Sequence, residues 1–318
     1  SPVHGGKLVV GGAFNAAGTI SAHSIATGDG ATWDSLGSGM FNGDYWPVVQ
    51  ALTVFRNALI AGGLFTRAGG IPANNIASWN GVRWDSLGGG ITRGPVQWGV
   101  CATPPYDDAL VVGGDFEQAG ANDIRFIARW DGAGWTPLGS GTTGRVFALL
   151  VYNGSLIAGG QFIDAGGVEA HAIAAWNGTL WHPLGSGMYY HVEQAYVAAL
   201  AVFGTNLLAG GGFEAAGDVE AHYIAGWEGV AWNPLGSGMN SSVQALTVYD
   251  NNPYAAGWFE TAGGVPSAHV ARWLGPPPSA VPDPHATGGS SGIHLESCWP
   301  NPLSSSTVLH YVLDEPSV

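Results

Sequence analysis

The chain is poor in positive charge. Lysine and arginine together number 9 of 318 residues, against 23 aspartates and glutamates, and the formal net charge at pH 7 is −14. Lys7 is the only lysine, and no cluster of basic residues occurs anywhere. Because nucleic-acid binding depends on neutralising phosphate charge, this composition argues against a nucleic-acid partner.

Long apolar runs and cysteines are also scarce. No run of 18 apolar residues occurs, so we expect no membrane span and no insertion into a membrane. Cys101 and Cys298 are the only cysteines, too few for a disulfide framework. Cys101 lies in an apolar run, which favours a buried free thiol. A Cys101–Cys298 disulfide is the alternative, but sequence does not place the two residues within reach.

Glycine, by contrast, is abundant and recurs at regular spacing. The chain holds 52 glycines and is 46% hydrophobic, as in a turn-rich globular protein. A phenylalanine that follows an apolar run and paired small residues recurs at intervals of 51 or 46 residues. These phenylalanines are Phe14, Phe65, Phe116, Phe162, Phe213 and Phe259. A period near 50 predicts a repeat architecture of six units.

Each unit contains four apolar runs, which are seen most clearly in residues 145–188. The first run, as in residues 243–249, is apolar or β-branched, and we expect a strand buried on both faces. The second run ends in paired glycines such as Gly159-Gly160. We interpret these as a close backbone approach or a bulge. A phosphate-binding loop would occur only once and would open a helix.

The third and fourth runs form a hairpin around Asn80-Gly81 and its counterparts. A two-residue turn with both residues at positive φ is expected. That turn places Trp79 opposite Val82 and makes Trp79 and Trp84 diagonal neighbours on one face. A tryptophan pair recurs in each of the next three units. We favour packing between adjacent sheets over a row of sugar-stacking platforms.

These runs predict an all-β chain, a six-bladed β-propeller of four-stranded antiparallel blades. Gly159-Gly160, followed by Trp176 and Trp181 and then Pro183-Leu184, resembles the kelch repeat family. The hairpin turn is shorter than the usual kelch one. The resemblance covers about residues 5 to 275 and implies the propeller fold. It implies little about activity, since propellers support binding, scaffolding and catalysis alike.

Three regions follow from this pattern: the repeats (1–275), a Pro/Gly/Ser-rich linker (276–292) and an extended β tail (293–318). The first unit lacks the front of its first strand, and the sixth ends without a fourth-strand tryptophan. The tail, with Trp299-Pro300-Asn301-Pro302, resembles the opening of an immunoglobulin-like domain of secreted bacterial proteins. In many of those proteins the domain is a sorting or attachment module. The resemblance covers about 25 residues, and from it we expect only the opening strands of that domain up to Val318.

No group of side chains indicates catalysis, so we expect a protein that is not an enzyme and has no cofactor or metal. His23, His171 and His222 occupy one slot in three units, and capping of loops explains them better than a metal site. The carboxylates after the strand-ending phenylalanines are expected to be solvated loop groups. These are Glu117, Glu214 and Glu260. Gln50, Gln97 and Gln244 start first strands and are expected to ring the mouth of a central channel.

We therefore expect a secreted or cell-surface structural protein that assembles head to tail with other copies of itself. The tail would add a strand to a neighbour through its apolar residues. These residues are Leu295, Trp299, Val308, Leu309, Tyr311 and Leu313. One alternative is a propeller that binds or acts on an extracellular glycan through the long loops 41–47 and 189–196, where Tyr45, Trp46, Tyr189 and Tyr190 lie. The other is an anchored surface protein with a sorting tail.

Overall fold

A computed structural model describes residues 2–92 and 99–275 of the chain. The fold is all-β, with 56% strand and no helix, and consists of many small antiparallel sheets. The predicted linker, the six apolar tail residues and Gln97 all lie outside the described residues. Within the described ranges, no helix is long and apolar enough to cross a membrane.

Six principal sheets follow one another along the chain, and in each the second strand lies between the first and the third. The first sheet consists of Val3–His4, Lys7–Gly11, Ile25–Gly28 and Trp33–Ser35. The second consists of Val48–Phe55, Ala58–Leu64, Ile76–Trp79 and Trp84–Ser86. The third consists of Val100–Ala102 and Pro105–Tyr106, which share one partner, and of Ala109–Gly114, Ile127–Trp130 and Trp135–Pro137.

The fourth and fifth sheets are the most regular, and the sixth is shorter by one strand. The fourth consists of Arg145–Tyr152, Ser155–Gln161, Ile173–Trp176 and Trp181–Pro183. The fifth consists of Tyr196–Phe203, Asn206–Gly212, Ile224–Trp227 and Trp232–Pro234. The sixth consists of Val243–Tyr249, Asn252–Gly257 and Val270–Arg272. The fourth strand that the repeat would supply is absent from the described part of this sheet, as the sequence predicts.

Short two- and three-stranded sheets lie around the principal ones, and several link one unit to the next. Two of them span neighbouring units in three strands: Met40–Phe41 with Arg67–Ala68 and Ile71–Pro72, and Met188–Tyr189 with Ala215–Ala216 and Val219–Glu220. The others are two-stranded: Ala16–Ala17 with Ile20–Ser21, Ile91–Thr92 with Gln118–Ala119, Asp164–Ala165 with Val168–Glu169, and Thr261–Ala262 with Val265–Pro266.

The paired glycines have two separate roles, and both follow from close backbone approach. A Cβ on the first glycine of the pair, Gly159, would lie 2.6 Å from a side-chain carbon of Val197 in the next sheet. A Cβ on the second, Gly160, would lie 2.0 Å from the carbonyl oxygen of Arg145 in its own sheet. The first strand has a register irregularity beside this contact, between Val146 and Ala148. The predicted close backbone approach is confirmed, whereas the bulge, the predicted alternative, lies in the first strand opposite the glycines and not in the glycine strand.

The predicted two-residue hairpin turn is wrong. Trp79 pairs directly with Trp84, so four residues form the connection. Of its first two residues only Gly81 has positive φ. The side chain of Asn80 makes the tighter turn unnecessary, because its Oδ1 accepts hydrogen bonds from the backbone N–H groups of Val82 and Arg83, each at 3.0 Å. The two tryptophans still share one face, with ring centroids 5.4 Å apart.

The prediction that first strands are buried on both faces is also wrong. In the sixth sheet, only Val243 of Val243–Tyr249 is buried. Second strands are buried more fully than first strands, and in Ala109–Gly114 and Asn206–Gly212 every residue is buried. A first strand is the edge of its sheet, whereas a second strand has a partner strand on each side. Apolar composition alone does not distinguish the two positions.

The fourth-strand tryptophans pack between neighbouring sheets, as predicted. Each lies against its own unit and against the turn that ends the preceding unit, and three of them donate a hydrogen bond of 2.9 Å to that turn. The bonds run from the Nε1 of Trp84 to the carbonyl of Leu36, from Trp181 to Leu138 and from Trp232 to Leu184. These indoles are buried, so they offer no platform for a sugar ring.

Candidate functional site

The loop aromatics predicted to contact a ligand lie in two different settings. Tyr45 and Trp46 are 76% and 67% exposed, in the loop after the first unit. The ring of Tyr189 lies 5.0 Å from that of His171, and Tyr190 is partly buried against the core between the fourth and fifth sheets. The first pair is thus accessible for stacking. In the second pair Tyr189 is 40% exposed beside His171, and Tyr190 packs against the core.

The second loop contains a polar cluster that the sequence did not reveal. The Nδ1 of His191 is hydrogen-bonded to a carboxylate oxygen of Glu214. Beside them, the pKa of Tyr223 is raised to about 12, chiefly by burial and then by a hydrogen bond with Tyr190 and the charge of Glu214. Tyr223 has φ of 65°, a conformation uncommon outside glycine. The only sequence signal was that His191 directly follows the two tyrosines.

This cluster corrects one sequence expectation. Glu117 and Glu260 are exposed, as predicted for loop carboxylates. Glu214 is partly buried and paired with His191 instead. The arrangement brings a carboxylate, an imidazole and two phenols together at one loop, where they can form hydrogen bonds.

The histidines that recur at one position of the repeat cap loops through their backbone carbonyls. The carbonyls of His23, His171 and His222 accept hydrogen bonds of 2.9–3.0 Å from backbone N–H groups of the segment that ends the same unit. Asn74 does the same at 2.8 Å in the second unit. The imidazole of His171 pairs with Glu169, at 2.7 Å. Among residues 2–92 and 99–275, no group of three or more His, Cys, Asp or Glu side chains is placed to hold a metal ion.

A cavity of about 430 Å³ lies beside the first strands of the second and third sheets. Its lining includes Gln50, Thr53, Cys101 and Thr103, which are polar but uncharged. Among the described residues Cys101 is a free thiol, and Cys298, the alternative disulfide partner, lies outside them. Burial, together with the charge of Asp115, raises the pKa of Cys101 to about 12. The cavity therefore offers hydrogen-bonding groups and a protonated thiol. A reactive thiolate requires a lowered pKa, which is the opposite shift.

One buried ion pair joins the third and fourth sheets. The Nε of Arg145 lies 2.9 Å from a carboxylate oxygen of Asp115, whose side chain is fully buried. Asp115 follows the paired glycines of the third unit, at a position occupied by other residue types in the other units. The pair lies between sheets and connects them, so we assign it a structural role.

The outer edge of the sixth sheet is open. Val270–Arg272 pairs with the second strand on one side only within the described chain. Beside this edge lies a small apolar pocket lined by nine residues. They are Ile224, Leu235, Met239, Leu246, Pro253, Tyr254, Ala255, Ala271 and Trp273. An unpaired edge next to an apolar pocket is a template for another strand.

One aromatic side chain of the sixth sheet is exposed within the described chain. Extensive strand contacts join each of the first five principal sheets to the next one along the chain. In the third sheet, the position after the paired glycines holds Asp115, which contacts the following sheet. The same position in the sixth sheet holds Trp258, which is 71% exposed. Within the described residues, the sixth sheet therefore presents an edge strand with one partner and an exposed tryptophan.

Comparison with known proteins does not name a class for this chain. No protein-family model matches it, and no curated protein matches it significantly. The structure shows an all-β chain of repeated antiparallel sheets, whose last sheet has three strands within the described residues.

Proposed function

We propose that the chain is a secreted, non-catalytic structural protein that polymerises outside the cell. In this proposal the six principal sheets are the blades of a kelch-like β-propeller. The tail of one copy, residues 293–318, completes the last blade of the next copy. The observation that carries the proposal is the open edge of Val270–Arg272, since each of the other five sheets has four or more strands.

The geometry supports a head-to-tail contact. The linker leaves the described chain at Gly275, just after the open edge. Each copy then has one donor segment and one acceptor edge. Such a contact is heterologous and produces a ring or a filament. The acidic surface, with its net charge of −14, limits unspecific association.

Sedimentation velocity of the full chain over a concentration series tests this proposal. We expect species larger than a monomer, and we expect the double variant Leu309→Asp, Leu313→Asp to sediment as a monomer. Val82→Asp is the matched control, because Val82 is exposed in a hairpin turn, and it should assemble normally. A full chain that remains monomeric at all concentrations contradicts polymerisation. A monomer that still anchors to cells through its tail would favour a surface protein with a sorting tail.

A second candidate function is glycan binding, favoured by the exposure of Tyr45 and Trp46 on one loop. Exposed aromatic side chains stack on the apolar faces of ligands. Binding to a glycan array that is lost in Trp46→Ala but kept in Val82→Asp would support it. The absence of binding by any glycan would leave the structural function as the only proposal.

A further inference from the structure

In the complete sheets, the same packing site for one indole ring recurs, and we call this site the seat. In the second, fourth and fifth sheets, the fourth-strand tryptophan lies between the third-strand tryptophan of its own sheet and the turn of the preceding unit. Trp232 illustrates this: its ring centroid lies 5.2 Å from that of Trp227, and its Nε1 donates to the carbonyl of Leu184 at 2.9 Å. It is 4% exposed.

The sixth sheet has the walls of the same seat. Leu235 corresponds to Leu184, and Trp273 corresponds to Trp227, by their places in the repeat. Both residues line the apolar pocket at the open edge, together with Met239 and Ala271. The sixth unit supplies no fourth-strand tryptophan among the described residues, so the walls of the seat are present without the indole that fills it in the other units. The free space between these walls is about 10 Å³, so an entering indole has to move them apart.

The tail carries a matching segment. Fourth strands read Trp-x-Pro-Leu in three units, as in Trp232-Asn233-Pro234-Leu235. The tail reads Trp299-Pro300-Asn301-Pro302-Leu303, the same order with one more residue. Trp299 is the only tryptophan after Trp273. Pro300 has no N–H to donate, so the match concerns the side chain and not a full ladder of hydrogen bonds.

We infer that Trp299 of the tail occupies the seat formed by Leu235, Met239 and Trp273 in the sixth unit. This inference rests on the proposed function, because it names the acceptor site of the donated tail. Twenty-three residues lie between Gly275 and Trp299, so the two are at most about 86 Å apart when the chain is extended. That reach covers the seat of a neighbouring copy and the seat of the same chain, and the experiment distinguishes the two.

Photocrosslinking of the full chain tests the inference. Trp299 is replaced by a benzophenone amino acid, and equal amounts of ¹⁴N- and ¹⁵N-labelled chains are mixed and irradiated. We expect crosslinked peptides that contain Met239, which lines the seat. The control has the same probe in place of Trp46, an exposed loop residue, and should give no adduct on Met239.

The outcomes separate this inference from the proposed function. Mixed-isotope adducts on Met239 support both. Single-isotope adducts on Met239 place Trp299 in the seat of its own chain, which supports the seat and contradicts polymerisation by this route. If the chain still polymerises but gives adducts elsewhere or no adducts, the position inferred for Trp299 is wrong and the proposed polymerisation is retained. As a second measurement, Trp299→Ala should weaken assembly by about 100-fold and Trp299→Phe by about tenfold, since loss of a buried aromatic anchor costs more than loss of its N–H donor.

Discussion

The paired glycines give the sharpest stability prediction. Gly160→Ala would place a Cβ 2.0 Å from the carbonyl oxygen of Arg145 and 2.9 Å from the Cα of Val146. Contact at normal distance needs more than 3 Å, so the first strand must move away by about 1 Å or more. Overpacking of this kind costs about 1–3 kcal/mol. A weakened ladder hydrogen bond adds about 1 kcal/mol. We therefore expect Gly160→Ala to lower the free energy of unfolding by about 2–4 kcal/mol.

The matched control is Gly134→Ala. Gly134 has an ordinary φ, and a Cβ there would meet nothing within 4 Å. This substitution should leave stability unchanged or raise it by up to about 1 kcal/mol, because alanine reduces the entropy of the unfolded chain. Urea unfolding followed by tryptophan fluorescence measures both variants. If Gly160→Ala unfolds at the same urea concentration as Gly134→Ala, the close approach of these two strands is wrong.

Three further predictions concern buried polar groups. Arg145→Met should lower the free energy of unfolding by about 3–5 kcal/mol in urea titrations, because it removes the guanidinium charge that lies 2.9 Å from the buried carboxylate of Asp115. An unchanged titration would contradict the ion pair. Trp181→Phe should destabilise by about 1–3 kcal/mol more than Trp135→Phe, because the first loses a hydrogen bond and the second removes an indole N–H that has no partner within the described chain. Equal losses would refute this difference. In the variant Cys298→Ser at pH 8, the thiol of Cys101 should react with a disulfide reagent only when urea unfolds the chain, since its pKa of about 12 keeps it protonated. Fast labelling of the folded chain would contradict the raised pKa.

The strands could be predicted from the sequence because each position of one repeat can be compared with the same position in the five other repeats. The glycine pairs and the burial of the tryptophans follow from that comparison. The hairpin turn was predicted wrongly because the Asn-Gly rule describes the backbone alone. The side chain of Asn80 accepts two backbone hydrogen bonds and so stabilises a longer connection.

Features that occur only once in the chain could not be predicted by comparing the repeats with one another. The contact of Glu214 with His191 joins the end of one unit to a loop of the next. The glutamate recurs after the strand-ending phenylalanine as Glu117 and Glu260, but His191 lies in a loop that does not follow the repeat. The buried Asp115–Arg145 pair is likewise unique to one junction. The burial of first strands depends on their place at a sheet edge, which composition does not encode. Of the loop aromatics, exposure separates Tyr45 and Trp46 from Tyr190, although all lie in long loops.

Cryo-electron microscopy of the full chain at the highest concentration used in sedimentation tests the central claim most directly. The proposal predicts filaments or rings of six-bladed subunits, with density from a neighbouring subunit along the open edge of Val270–Arg272 and an indole ring beside Leu235. Separate subunits whose open edge remains unpaired, or is covered by the tail of the same chain, would contradict assembly by strand donation.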